Sequence, residues 1–158
     1  MAEPGSFTAR GGWWVVAQVP VMAAALLVPL AWGAHAFEDA SPVAWAGALL
    51  AALGLLVTLL GFAALGRALT PFPRPRDDAT LRQDGIYAWM RHPIYGGIVL
   101  AGLGWALAWQ SWPGVAAAAM LFAFFDRKSA YEERLLRQRF PDYAEYARRV
   151  RKLLPGIY

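Results

Sequence analysis

The chain has 158 residues, 58% of them hydrophobic and 16% charged, with a formal net charge of +4 and no cysteine. A soluble domain carries about 25% charged residues, and here the charges gather in blocks between long uncharged runs, which is the composition of a membrane protein rather than of a large soluble core. The missing cysteines exclude a disulfide framework, a thiolate nucleophile and a Cys-based metal site; basic residues that flank apolar spans are explained by topology and lipid contact without nucleic acid.

The first apolar span runs from Trp13 to Phe37, long enough for the roughly 20 residues of a bilayer crossing. Pro20 and Pro29 inside it predict a kink. Ala34-His35-Ala36 has the look of a signal-peptidase site, but the span is long for a signal peptide, so the reading is a retained helix. His35 stands alone and is read as structural, since one His makes no metal site. Glu38, Asp39, Ser41 and Pro42 form a short turn, and a second span follows at 43–66. A third apolar region, His92 to Phe125, would be about 50 Å long as one helix. Gln110-Ser111-Trp112-Pro113-Gly114 is its natural break, giving helices at about 94–109 and 112–139 that form a tight hairpin. Either this hairpin crosses the bilayer twice or it is re-entrant. The fold expected is an all-α integral membrane protein with about four transmembrane helices and a cytosolic C-terminal helical tail at 140–158.

Basic residues set the orientation. Arg10 precedes the first span; Arg67, Arg74, Arg76, Arg82 and Arg91 occupy the loop at 67–93; the rest lie between Arg127 and Lys152. All fall on one side of a four-helix arrangement, which places both termini and the central loop in the cytosol. Small residues four apart (Gly47/Ala51, Gly97/Ala101, Gly102/Ala106) either let helices approach closely in lipid or reflect plain Ala/Gly richness.

Two charged blocks meet at the cytosolic helix ends. Pro93 suits the first turn of a helix, and the free N–H groups near Tyr95 and Gly96 would form an anion site beside Arg91 and His92; the alternative is a juxtamembrane basic anchor. Glu132 and Glu133 follow the fourth helix directly. Adjacent acids near a bilayer are costly unless solvated, paired or used. Glu133 is spaced to pair with Arg137 one turn on, and otherwise a glutamate here would accept hydrogen bonds from ligand hydroxyls or an ammonium group. Arg127 is placed to hold an anionic substrate group. Tyr143, Tyr146 and Val150, with Arg148, Arg149, Arg151 and Lys152, read as an amphipathic helix on anionic lipid, or as a lid over a ligand.

Gly85-Ile86-Tyr87, then Arg91-His92-Pro93-Ile94-Tyr95-Gly96-Gly97, then Glu132-Glu133 with Leu136, Phe140, Tyr143 and Tyr146 resemble the isoprenylcysteine carboxyl methyltransferase and phospholipid methyltransferase superfamily. Leu69-Thr70-Pro71-Phe72-Pro73-Arg74-Pro75 resembles its bacterial members. The resemblance covers Gly66 to the C-terminus and implies one membrane methyltransferase domain over 1–158. It further implies an S-adenosylmethionine site at the cytosolic edge of a bacterial inner membrane, formed by Tyr87, His92, Pro93, Tyr95, Gly96, Glu132 and Glu133. Arg91, Arg127 and Glu132 would lie near the reacting groups. A tyrosine ring suits the sulfonium cation. An amine acceptor would need a proton acceptor, His92 or Glu133, whereas a carboxylate would need none. The acceptor expected is a lipid or a small lipophile bearing a carboxylate, amine or thiol. Two alternatives stand: an NADPH-dependent membrane reductase of sterol-reductase type, and a membrane scaffold with no catalytic role.

Overall fold

The computed structural model describes residues 6–8, 10–33, 41–75 and 79–158, the Arg67 side chain excepted. Ala34-His35-Ala36, Phe37, Glu38, Asp39 and Arg76 lie outside the described residues. Five α-helices follow in order: α1 (Gly12–Trp32), α2 (Pro42–Leu65), α3 (Pro93–Ala108), α4 (Trp112–Arg139) and α5 (Tyr143–Arg149), with 3-10 turns at Gly66–Ala68 and Gly85–Ala88. Among the described residues there is no strand, only one isolated parallel bridge between Met90 and Arg151.

Local chemistry sets the helix starts. Ser41 caps α2 by accepting from the Val43 N–H at 3.3 Å, with Pro42 in the first turn, where its missing donor costs nothing. Pro93 opens α3 in the same way. The α3–α4 hairpin turns through Gln110, which takes a left-handed φ of 48°, and Ser111, which accepts from the Gly114 N–H at 3.1 Å. α1 and α2 are long and apolar enough to cross a membrane, and α3 is apolar but shorter. α4 is apolar to Phe125 and charged beyond it.

α3 is central, with α2 on one side and α1 and α4 on the other. Gly47, Gly54 and Gly61, seven residues apart along α2, face α3. A Cβ on Gly47 would lie 2.4 Å from the Ala108 nitrogen, and one on Gly54 would lie 2.4 Å from the Ala101 nitrogen. Gly97 and Gly104 of α3 return the contact against Thr58 and Ala51. Lipid tails compete equally for apolar side chains, so close backbone packing holds such helices together. Gly47/Ala51 and Gly97/Ala101 therefore belong to the α2–α3 seam, whereas Gly102 faces Leu121 and Ala25. Ala25, Val99, Leu121 and Phe125 form the core where α1, α3 and α4 meet.

The tail does not lie on the surface with its aromatic face turned to lipid: Tyr143 and Tyr146 are buried. Beyond α5 the chain doubles back as a strap. The Arg151 and Lys152 carbonyls accept from the Arg91 and His92 N–H groups at 2.8 and 3.0 Å, and Leu153 is buried. The loop after α2 is pinned from the other side, with the Arg10 guanidinium 4.0 Å from the centre of the Phe72 ring and Pro73 buried.

Candidate active site

A cavity of about 360 Å³ opens where α1–α4, the loop after α2 and α5 converge. Its volume falls in the range of small-molecule sites. Each side chain is delivered by a feature traceable to the chain. Gly85 takes a φ of 58°, a conformation that glycine adopts without strain, and this turns the 3-10 segment so that Tyr87 is buried. The Tyr87 carbonyl accepts from the Tyr146 hydroxyl at 2.6 Å, which ties α5 to the turn. Burial pushes the Tyr146 phenol up to about 12 and the Tyr87 phenol higher still, so both remain neutral donors.

Glu133 is a hub. Oε1 accepts from Arg91 Nε at 2.9 Å and lies 3.3 Å from His92 Nε2; Oε2 accepts from Arg137 Nη2 at 3.1 Å. Burial alone would raise this carboxyl, but His92 and Arg91 outweigh it and bring it down to about 2. Arg91 also donates to the Ala147 carbonyl at 2.9 Å and to the Val150 carbonyl. The three side chains lock α3, α4 and α5 together at one point.

Glu132 is different. It receives a hydrogen bond from the Tyr95 hydroxyl at 2.9 Å. Burial raises its pKa, and His92, Tyr95 and Lys128 offset this only in part. The Tyr95 ring stacks on His92 (centroids 5.6 Å apart, 5° between planes) and on Phe125 (4.7 Å, 19°). An aromatic wall with one acid on it is a surface suited to a cationic ligand group.

Of the residues singled out from the sequence, Tyr87, Arg91, His92, Tyr95 and Glu132 line the cavity. Glu133 sits behind them, holding Arg91 and His92. Pro93 is buried at the start of α3, outside the lining. Gly96 faces the strap: a Cβ there would lie 2.2 Å from the Leu153 carbonyl oxygen. The His92 N–H is taken by Lys152 and the Gly96 N–H by the His92 carbonyl, so a carbonyl of the strap stands at the helix start where an anion site was expected. Arg127 is exposed and outside the lining.

Residues not singled out line it instead. Lys128 is 1% exposed and faces inward. It lies four residues before Glu132 and so on the same helical face, whereas Arg127, five before, does not; that spacing was the available signal. Tyr143, part of the motif but given no site role there, also lines the cavity, and its buried hydroxyl has no hydrogen-bond partner. A buried orphan hydroxyl is rare in a folded protein. Gln18 and Met22 reach in from α1, a helix without motifs that could have marked them.

A family model described as phospholipid methyltransferase matches residues 43–143. The chain is 33% identical over 123 residues to a probable protein-S-isoprenylcysteine O-methyltransferase of Oryza sativa subsp. indica, covering 73% of this chain and 62% of that relative. It is 35% identical over 115 residues to the cobalt-zinc-cadmium resistance protein CzcN of Cupriavidus metallidurans (72% and 52%). It is 30% identical over 109 residues to protein-S-isoprenylcysteine O-methyltransferase B of Arabidopsis thaliana (66% and 55%). The chain spans between about half and three-fifths of the length of these curated relatives. The matched segment carries Tyr87, Arg91, His92, Tyr95, Glu132 and Tyr143, and the chain belongs to the phospholipid methyltransferase family, within the superfamily that also holds the isoprenylcysteine carboxyl methyltransferases.

Proposed function

We propose that this protein transfers the methyl group of S-adenosylmethionine to a lipid or lipophilic acceptor at the cytosolic face of a bacterial inner membrane. One observation carries the reading: a single cavity is lined both by polar side chains, Tyr87, Arg91, His92, Glu132 and Tyr143, and by apolar ones, Met22, Phe62, Leu65, Ile94 and Ile98. The polar groups come from the segment before α3 and from α4 and α5; the apolar ones come from the long apolar helices α1 and α2 and from the first turns of α3. A water-soluble donor and a lipophile are thereby able to meet without either leaving its own solvent. The relatives named for methyl transfer to isoprenylcysteine support this class of acceptor. In this reading α3 and the apolar half of α4 are embedded beside α1 and α2, and the basic segments set the cytosolic side.

The residues fit the donor. Glu132 offers a carboxylate to an ammonium or to ribose hydroxyls, the Tyr95 and Tyr87 rings can face a sulfonium, and the Tyr143 hydroxyl is an unsatisfied partner awaiting a ligand atom. When bound, the donor supplies an electrophilic methyl. The protein's part is alignment and exclusion of water, effects worth up to about 7–11 kcal/mol. The stack of His92, Tyr95 and Phe125 fixes the wall, and the Arg91–Glu133–His92 cluster fixes the stack. With its carboxyl at about 2, Glu133 is a weak proton acceptor; Glu132, with its raised pKa and its place on the lining, is the better base for an acceptor that must lose a proton.

The test is transfer of a labelled methyl from S-adenosylmethionine into a bacterial lipid extract by the purified protein in detergent. Label in the organic phase, absent with Glu132→Gln, is the outcome expected. No transfer by folded protein, together with NADPH binding, would move the assignment to a reductase.

A further inference from the structure

The strap is tied to α4 at the point where that helix stops being apolar. From Trp112 to Phe125 α4 carries no charge, a length of about 20 Å at 1.5 Å per residue, short of the roughly 30 Å of a bilayer's hydrocarbon core. Asp126 ends that run. Its depth is set against α1. The Trp14 ring lies 5.6 Å from Phe124 and 6.0 Å from Tyr131, so Asp126 stands level with the first turns of α1 rather than beyond its start. Trp13, next in sequence, is exposed at the same level, and exposed tryptophan favours the bilayer interface. An acid at that depth needs partners, and the strap supplies them. Lys152 Nζ at 2.5 Å and the Tyr158 hydroxyl at 2.8 Å both donate to Asp126 Oδ1. The Tyr158 ring reaches deeper still, 5.9 Å from that of Phe122, one turn further into the apolar part of α4.

The end of the strap is a built turn. The Leu154 carbonyl accepts from the Ile157 N–H at 3.2 Å across Pro155 and Gly156, and Gly156 takes a φ of 72°; proline followed by glycine suits such a turn. The Tyr158 carbonyl accepts from the Leu153 and Leu154 N–H groups at 2.7 Å each. The shape is fixed by hydrogen bonds, yet Ile157 is 78% exposed. We propose that the turn at 154–158 docks in the cytosolic interface of the bilayer, with Ile157 inserted among lipid, and that this docking holds the strap in place over the start of α3. The proposal rests on the embedding of α4 beside α1 and α2 given above, not on methyl transfer. Tyr158, with its ring on Phe122 and its hydroxyl on a charged group, has the apolar body and wet tip of an interfacial residue. Charge agrees: Arg127, next to Asp126, and Arg151 of the strap are exposed, and basic side chains at this level are drawn to anionic headgroups. The consequence reaches the cavity. The Arg151 and Lys152 carbonyls hold the Arg91 and His92 N–H groups at 2.8 and 3.0 Å, and Arg91 and His92 line the cavity. Lipid at one end of the strap thereby steadies the lining at the other.

The chain has no cysteine, so a nitroxide can be attached singly at Ile157→Cys, at Met120→Cys on the exposed apolar side of α4, and at Ala144→Cys on the exposed side of α5. The full-length protein is placed in vesicles of phosphatidylcholine and phosphatidylglycerol. Collisions of each label with oxygen, which concentrates in lipid, and with a nickel chelate, which stays in water, are then compared. The Ile157 label is expected to favour oxygen over the chelate several-fold more than the Ala144 label does, as the Met120 label also should. An Ile157 label that reads like Ala144, with Met120 in lipid, overturns the docking and leaves α4 embedded. A Met120 label open to the chelate overturns the embedding and the docking with it. Amide hydrogen exchange at Arg91 and His92 in the same vesicles is a second reading that needs no label. Ile157→Asp is expected to speed it several-fold, and Ile157→Leu to leave it as in wild type. Both replace an exposed side chain, so packing within the protein is kept. Unchanged exchange in Ile157→Asp would mean that the strap is held without lipid, and overturns the proposal.

Discussion

Glu132 and Glu133 are neighbours in sequence with opposite fates. Consecutive helix positions are about 100° apart, so Glu133 turns to Arg91 and His92 while Glu132 turns to the cavity. Glu133→Gln leaves a nearly buried guanidinium without its counter-ion and is expected to cost about 3–5 kcal/mol of stability, read by unfolding in mixed micelles. The same carboxyl gives a pH signature. Its folded pKa is depressed from 4.5 to about 2. Its contribution, on the order of 3 kcal/mol at about 1.4 kcal/mol per unit, is therefore fully present above pH 4.5 and is lost as pH falls through that value toward 2. A wild-type stability profile flat over that window would contradict the assignment. Tyr143→Phe is expected to behave in the opposite sense. Its hydroxyl has no partner in the protein, so stability should hold or rise by up to about 1 kcal/mol, while S-adenosylhomocysteine affinity falls several-fold. The pairing of Glu133 with Arg137 was legible from i,i+4 spacing, and the structure has it at 3.1 Å. The sequence leaves the inward turn of Tyr143 undecided between a surface helix and a lid, because Tyr143, Tyr146 and Val150 fit a helix on lipid as well as one on protein.

Among the elements, the α2–α3 seam shows what a sequence of this kind hides. Span positions follow from charge and proline: Pro42, Pro93 and Pro113 each fall in the first turn of a helix. Which small residues face a partner does not follow, because α2 is apolar on all sides and carries no polar stripe. The seven-residue spacing of Gly47, Gly54 and Gly61 is visible only against α3. Gly54→Ala would push a methyl to 2.4 Å from the Ala101 nitrogen. The helices must part, at an expected cost of about 1–3 kcal/mol, measured as a shift in the denaturant midpoint. Gly66→Ala would meet no atom within 4 Å but sits at a φ of 49°, so any loss there reflects the backbone alone. The strap was illegible for another reason. It binds through the Arg151 and Lys152 carbonyls, and backbone hydrogen bonds leave no mark in side-chain pattern. Only Gly96, which needs room for the Leu153 carbonyl, carries a trace of it.

At the scale of the whole molecule, one cavity is lined by both polar and apolar side chains. Its polar lining comes from the loop before α3 and from α4 and α5, with the Glu133 hub behind it, and its apolar lining from α1, α2 and α3. The motif blocks supply much of the polar lining, since Tyr87, Arg91, His92, Tyr95 and Glu132 all reach the cavity. The apolar lining could not be picked out from the sequence, because apolar residues that line a cavity look like those that face lipid. The most direct measurement is S-adenosylhomocysteine binding by calorimetry on detergent-solubilised protein, wild type beside Glu132→Gln and Tyr143→Phe. Saturable binding by wild type, weakened in both folded variants, is the result predicted. Well-folded wild type that binds no S-adenosylhomocysteine, or folded variants that bind it as tightly as wild type, would contradict the site described here.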